Sequence, residues 1–270
     1  MKISRAATLA IKNLGYHQVG KCNICGKSTI FICIDVATVR NNMYCPFCQS
    51  SSRKRHVAKL LIHKLIPNIS SLVEVSSKKC LDKVDNLDKL NIYNTDVNDA
   101  LSQVLQSATS YYSSSYIPNI QIGTEVRENV FCQDLEKLTF ASEKFDVVIT
   151  EDVFEHIRDY EKAFREVYRV LKTGGYHIFT VPCFFDKPTL VRVDTSGKED
   201  IHLLPPEYQG DKVRGKIHSK RTFGIDIFEI LDKIGYETTV DFSNYLDRRY
   251  GIFDSYAFCS RKVEKTGNRE

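Results

Sequence analysis

The hydrophobic positions of this chain follow three rhythms, each of which predicts a different element. Val147, Val148 and Ile149 form a β-branched run after Phe145, which reads as a strand buried on both faces and ending at the acidic pair Glu151 and Asp152. Tyr160, Ala163, Phe164, Val167 and Leu171 then recur at helical spacing, and the helix is expected to stop at Gly174 and Gly175. Tyr176 to Val181 is a second apolar run closed by Pro182. Strand, helix and strand in this order make a βαβ unit, which requires parallel strands and a right-handed crossover. Ligands of such sheets bind beyond the carboxyl ends of the strands, so Glu151, Asp152 and the residues near Pro182 fall on the functional edge.

The same rhythms place the remaining elements. The parallel sheet is expected to begin at Leu72 to Val75, continue with Asn91 to Asn94 ending at Asp96, and add a third strand over Asn129 to Gln133. A helix from Gly224 to Ile234 and strands over Thr238 to Phe242 and Ser255 to Ser260 close it. Two stretches lack apolar periodicity, the Ser/Tyr-rich 97–128 and the polar 183–221, and both read as loop or lid insertions. Ahead of the sheet, residues 1–20 predict a short helix, and Ile30, Ile32 and Ile34 alternate as in a β-hairpin. Val57, Leu60, Leu61 and Leu65 line one face of a helix from Ser51 to Ile66 that Pro67 ends. The expected division is a small N-terminal part, 1–67, and a larger domain, 68–270.

Cysteine spacing sharpens the first part. Cys22-x2-Cys25 and Cys45-x2-Cys48, separated by 19 residues, match the zinc-ribbon pattern, in which each turn offers two thiolates to one tetrahedral ion. Gly26 and Pro46 supply turn residues at the two knuckles, while Cys33 falls in the hairpin between them and is expected to be packed. Four thiolates leave no open position, so such a zinc ion stabilises a fold and does not catalyse.

Charge is uneven. The net charge is +4, yet residues 1–67 hold eleven Lys and Arg against one acid, Asp35. The cluster Arg53, Lys54, Arg55 and His56 is therefore a candidate contact surface for nucleic acid, with a solvated helical turn as the alternative. Few aromatic residues stand near the ribbon (Phe31, Tyr44, Phe47), which weakens a case for RNA. No apolar run approaches the roughly 18 residues a membrane helix needs, and the paired cysteines suit metal binding in a reducing compartment. The expectation is a cytoplasmic protein.

The acidic strand end, Glu155-His156, the turn RVLKTGG and the strand closing at Val181-Pro182 together resemble the second half of a class I S-adenosylmethionine-dependent methyltransferase, and more narrowly the type 11 domain. The likeness runs upstream through Cys132 to Phe140 and downstream through Leu203 to Gly210, so that it covers roughly 72–261. It implies an α/β fold: a Rossmann-like, mostly parallel seven-stranded sheet with helices on both faces, here joined to a small N-terminal zinc-ribbon. It also implies S-adenosylmethionine as cofactor. On that pattern the first strand is followed by an acid and a glycine-rich turn, and Glu74 and Ser76 stand there in a segment without glycine, the largest departure from the family. Asp96 is placed to accept the ribose hydroxyls, and Asp134 and Leu135 to meet the adenine, with Glu151 completing the cofactor edge.

Asp152, Glu155 and His156 stand at i, i+3 and i+4, on one face if that turn is helical. In related ubiquinone-pathway O-methyltransferases the corresponding residues hold a divalent metal, and His156 is alternatively a general base. The competing reading makes Asp152-x-x-Glu155 a capping box with His156 packed beneath it. Within 183–221, Arg192, His202, Glu207, Tyr208 and His218 are candidate acceptor contacts, and Gln209 replaces a histidine expected from the family. The resulting expectation is methyl transfer to an oxygen or nitrogen of a small molecule or sugar. Its rivals are an RNA methyltransferase using the basic ribbon and a degenerate binding module without cofactor. A nicotinamide-dependent oxidoreductase is disfavoured, since no GxGxxG occurs.

Overall fold

The computed structural model describes residues 14–76, 90–97, 99–106, 110–211, 215–242 and 246–264, with positions 8, 11 and 12. The chain divides into two compact units. The first comprises 1–90, 98–111 and 240–257, and the second 91–97, 112–239 and 258–270. The first unit is thus larger than the 1–67 segment expected from sequence.

In the first unit, β1 (Gln18–Lys21), β2 (Ser28–Cys33) and β3 (Met43–Tyr44) form an antiparallel sheet in that order. Helix α1 (Ser52–Leu65) follows, with the Ser51 hydroxyl accepting the Lys54 amide at its start. Its Val57, Leu60 and Leu61 are buried, as their spacing predicts. Later in the chain, Leu246–Asp247 pairs with Ile252–Phe253 as a short hairpin in the same unit. Of the helix expected over 1–20, most lies outside the described residues; Leu14–Tyr16 is a 3-10 turn.

The expected first strand does not form. Leu72–Ser76 is a 3-10 turn whose Leu72 and Val73 amides donate to the carbonyls of Asn23 and Ile24, in the first cysteine knuckle. Leu72 and Val75 are buried while Val73 is 39% exposed, so the three-residue period of a 3-10 turn describes LVEV better than strand alternation does. Ser77 to Cys80, expected to carry the cofactor turn onward, lie outside the described residues.

The second unit is built on β4 (Asn91–Asn94), β5 (Ser110–Ser115), β6 (Glu125–Arg127), β7 (Val130–Cys132), β8 (Phe145–Glu151), β9 (Leu171–Thr180), β10 (Tyr236–Asp241) and β11 (Ala257–Lys262). Their order is β10-β11-β9-β8-β4-β5-β7-β6. β4 and β9 flank β8 in parallel and β5 runs parallel to β7, whereas β11 is antiparallel to β9 and β6 to β7. The fold is the expected α/β, Rossmann-like one, with eight strands in place of seven: the strand expected at Leu72 is lost, and β5 and the antiparallel edge β6 are gained.

The Ser/Tyr-rich run within 97–128 corrects a second expectation. It is no lid: Ser102–Leu105 is a helical turn and β5 and β6 join the sheet. Between β8 and β9, helix α2 (Tyr160–Val170) is capped by Asp159 and buries Ala163, Phe164, Val167 and Val170 against the sheet. It ends at Val170, a turn earlier than Gly174. Helix α3 (Ile227–Ile234) ends on Gly235 with φ of 116°, a left-handed cap that suits glycine. The described residues of the insertion 183–221 carry no helix, only short ribbons. Among the described residues, no helix is long and apolar enough to cross a membrane.

Candidate functional site

Strand order locates the ligand edge. From β4 the chain proceeds to β5 and β7 on one side, and from β8 to β9, β11 and β10 on the other, so the order reverses between β4 and β8. A crevice opens beyond the carboxyl ends at such a switch point. Asn94 pairs with Ile149 there, so Thr95, Asp96 and Val97 follow β4 on one side, and Glu151, the last residue of β8, and Asp152 stand on the other.

Asp96 thus follows the central strand of the unit, where sequence reasoning had it close the second strand of the sheet. The turn it opens also lacks glycine. The buried Asn94 side chain accepts the Asp96 amide at 3.0 Å, an Asx turn, and Thr95 donates its amide to the Ile149 carbonyl. Past β7, the Asp134 carboxylate accepts the Glu136 amide at 2.9 Å, and Leu135 is buried. Burial drives the Tyr93 phenol pKa upward, with Asp134 adding to the effect, while Tyr93 and Ser114 share a 2.6 Å hydrogen bond. Glu74 is not at a strand end at all: its carboxylate accepts from the Ser70 and Ser71 hydroxyls within the first unit. Of Ser76 only its place at the end of that 3-10 turn is described.

Past β8, Asp152 adopts a left-handed conformation with φ of 52°, which an aspartate tolerates better than most residues. Its amide donates to the Thr180 carbonyl at 2.8 Å, and the Thr180 hydroxyl donates to its carboxylate at 2.9 Å. Asp152 is therefore turned toward β9, and the 3-10 turn Phe154–His156 starts at Val153 without a side-chain cap. The capping-box reading fails on that geometry. Asp152, Glu155 and His156 also do not gather as metal ligands: among the described residues, the single converging set of His, Cys and carboxylate groups is the four cysteines.

Glu155 is fully buried and its carbonyl accepts the Lys220 amide at 2.8 Å. His156 Nδ1 lies 2.9 Å from the His218 carbonyl. A carbonyl only accepts, so Nδ1 carries the proton and Nε2, 3.8 Å from Glu155 Oε1, holds the lone pair in the neutral ring. Arg221, 3% exposed, donates to the Phe154, Ile157 and Arg158 carbonyls with its guanidinium over the Tyr160 ring at 4.4 Å. It ties the end of the insertion to this turn.

The insertion consists of three two-stranded ribbons: Leu190–Val191 with Arg221–Thr222, Val193–Asp194 with Ile201–His202, and Tyr208–Asp211 with Gly215–His218. They collect the five residues that sequence marked as acceptor contacts. Arg192 and Glu207 form an ion pair at 2.5 Å, the His202 and His218 rings lie 4.9 Å apart, and Tyr208 is 5.4 Å from His218. Burial, then the neighbouring His202, holds the His218 pKa below its ordinary value. Sequence reasoning missed Asn94, Thr180 and Arg221; the partners of Thr180 and Arg221 are remote in the chain, while the side chain of Asn94 meets Asp96 two residues on.

In the first unit, all four cysteine sulfurs fall within 4.8 Å of one another, with Cys22–Cys48 and Cys25–Cys45 at 3.7 Å. Tetrahedral thiolates at the usual zinc–sulfur distance stand about 3.8 Å apart, so the set fits such an ion. The knuckles are alike: the amides of Gly26 and Gln49 donate to the Cys22 and Cys45 carbonyls, and both residues have positive φ, 74° and 57°. Cys33 is buried outside the set, and burial raises its thiol pKa. The basic cluster is corrected. Lys54 pairs with the buried Asp99 at 2.8 Å, Arg55 is fully buried, and His56 is buried 3.0 Å from Ser255. Only Arg53 of the four retains appreciable exposure, so the cluster is no contact surface.

Residues 84–179 match the family described as a methyltransferase domain. No curated protein sequence matches the chain significantly. Among solved structures, it is similar to an S-adenosylmethionine-dependent methyltransferase from Mesorhizobium loti, with 11% identity, a TM-score of 0.39, and coverage of 69% of this chain and 98% of that one. It is also similar to phosphoethanolamine N-methyltransferase 2 of Haemonchus contortus, with 14% identity, a TM-score of 0.39, and coverage of 77% and 56%. A third is 1,6-didemethyltoxoflavin-N1-methyltransferase of Burkholderia thailandensis, with 10% identity, a TM-score of 0.37, and coverage of 78% and 87%. Likenesses this distant carry no argument, and the assignment rests on the family match. Residues 84–179 match a methyltransferase domain, and on that match the protein is an enzyme.

Proposed function

We propose that the protein transfers a methyl group from S-adenosylmethionine to an oxygen or nitrogen of a small molecule or sugar, and that its four cysteines hold a structural zinc ion. One observation carries the reading: Asp96 and Asp134 stand just past β4 and β7, and Glu151 ends β8, inside the matched domain. This donor set suits hydroxyl and amino groups, and it lacks the glycine fingerprint that accommodates a pyrophosphate.

In this reading Asp96 accepts the ribose hydroxyls, Asp134 the adenine amino group, and Leu135 offers its backbone to the ring. When bound, the cofactor supplies an activated sulfonium methyl. The protein's task is then alignment of the acceptor, with a base needed only where the acceptor loses a proton. His156 Nε2 has the lone pair for that, with its ring held through Nδ1 by the His218 carbonyl. Asp152, fixed by Thr180, and the Arg192, His202, Glu207, Tyr208 and His218 cluster line the acceptor side.

A second reading, a binding module without cofactor, draws on the glycine-free turn after β4 and on β5, which ends at Ser115 followed by Tyr116 and no carboxylate. Titration calorimetry with S-adenosylmethionine and S-adenosylhomocysteine separates the two. Micromolar binding, weakened at least tenfold by Asp96→Ala, is expected; no heat with either ligand would select the binding module.

A further inference from the structure

We propose that Arg55 is the counter-charge of the four-cysteine metal site, and that through it metal occupancy governs how firmly the 248–253 loop is held. The inference rests on the zinc reading above.

Arg55 is fully buried, and every hydrogen bond it makes goes to a neutral acceptor. Nε donates to the Tyr250 carbonyl at 2.7 Å, and Nη2 to the carbonyls of Gly251 at 2.7 Å and Met43 at 3.0 Å. Nη1 donates to the Ser50 carbonyl and lies 3.4 Å from the Ser50 hydroxyl. The guanidinium stacks on Phe31 at 4.2 Å. No carboxylate pairs with it among the described residues. Carbonyls and a ring satisfy the donors but leave the charge unbalanced, and an uncompensated buried charge is strongly destabilising.

The anionic groups that act on Arg55 most strongly are the four cysteine sulfurs. Ser50 makes the link, its hydroxyl lying 3.2 Å from Cys48 Sγ and 3.6 Å from Cys22 Sγ. A zinc ion with four thiolates carries two net negative charges, themselves costly to bury, and one guanidinium offsets half of that excess. Each charge therefore makes the other tolerable. With the metal removed and the thiols protonated, the guanidinium keeps its carbonyls but loses its counter-charge.

Two of those four carbonyls, of Tyr250 and Gly251, belong to one loop. Gly251 presses so close to Phe31 that a Cβ would lie 2.2 Å from the ring, and the Lys21 amide donates to the Arg249 carbonyl at 2.8 Å. The Ser52 hydroxyl bridges the amide and carbonyl of Phe253. Arg55 is fully buried in this seam, so weakening its hold loosens the loop first.

The test uses the full-length protein with its zinc content measured. Chelator competition should release zinc from Arg55→Met and Ser50→Ala at concentrations at least tenfold lower than from the parent, with Arg55→Lys nearer the parent. In the unmutated protein, zinc removal should speed amide exchange of Gly251 and Phe253 at least tenfold while Val147 to Ile149 stay protected; this arm holds even if Arg55→Met fails to fold. Bound zinc with unchanged loop exchange on its removal, or equal chelator sensitivity in a folded Arg55→Met, overturns the inference alone. Protein that neither contains nor takes up zinc overturns the zinc reading and the inference together.

Discussion

His177 shows how one residue ties burial to pH. It sits in β9 with no exposure, stacked on Phe179 at 4.5 Å, with Nε2 2.9 Å from the Thr150 hydroxyl and no hydrogen-bond partner for Nδ1. Burial pushes its pKa down to about 3. An unfolded histidine titrates near 6.5, so below that pH the unfolded chain binds a proton the folded chain refuses. Stability is therefore whole above pH 6.5 and lost as pH falls toward 3, by roughly 5 kcal/mol at most. Urea unfolding of His177→Phe at pH 7.5 and pH 4.5 should show a smaller difference between the two conditions than the parent; an equal difference would reject the assignment.

The acids of the site were legible at this scale, since Asp96, Glu151 and Asp152 end apolar runs that read as strands. What holds them was not. Thr180 grips Asp152 from 28 residues away, and no local pattern announces that pair.

Among the elements, the turn from α2 into β9 explains the glycine pair. A Cβ on Gly175 would lie 2.9 Å from the Lys172 carbonyl oxygen and 3.0 Å from that of Asp146, backbone atoms that cannot easily yield. Gly174 has φ of 82°, and a Cβ there would meet only the Arg261 guanidinium, at 3.9 Å. Gly175→Ala should cost about 1–3 kcal/mol through overpacking, and Gly174→Ala about 1 kcal/mol through conformation alone. Urea midpoints of the two variants check that ranking, and a reversal would mean that strain and not crowding selects the pair.

Elements with a strong period were readable. α1, α2, β4 and β8 lie within a few residues of where apolar spacing puts them. β5 was not, because SYYSSS is polar by composition, and its Ser113 and Ser114 are buried only through partners on neighbouring strands. The turn at Leu72 failed for the opposite reason: an apolar composition concealed a 3-10 period.

For the molecule as a whole, the order β10-β11-β9 places the last described strand between two earlier ones. Phe258 on β11 stacks against Phe179 at 4.7 Å. A chain truncated after Tyr256 loses an interior strand and leaves β9 with an unpaired edge, so it should lose cooperative urea unfolding. A truncated protein with the parent's midpoint would show the sheet to be closed without β11.

At this scale the division of labour is physical. The sequence by itself determined the βαβ centre, the methyltransferase resemblance and the four-cysteine set, because periodicity and short spacings belong to residues close along the chain. Only the tertiary structure decided that β4 is the central strand, that Glu74 lies in a 3-10 turn and not at the end of a strand, and that Lys54, Arg55 and His56 are buried. Strand order and desolvation depend on partners far apart in sequence, such as Asn94 with Ile149 or Arg55 with Gly251, which are brought together only when the chain is folded.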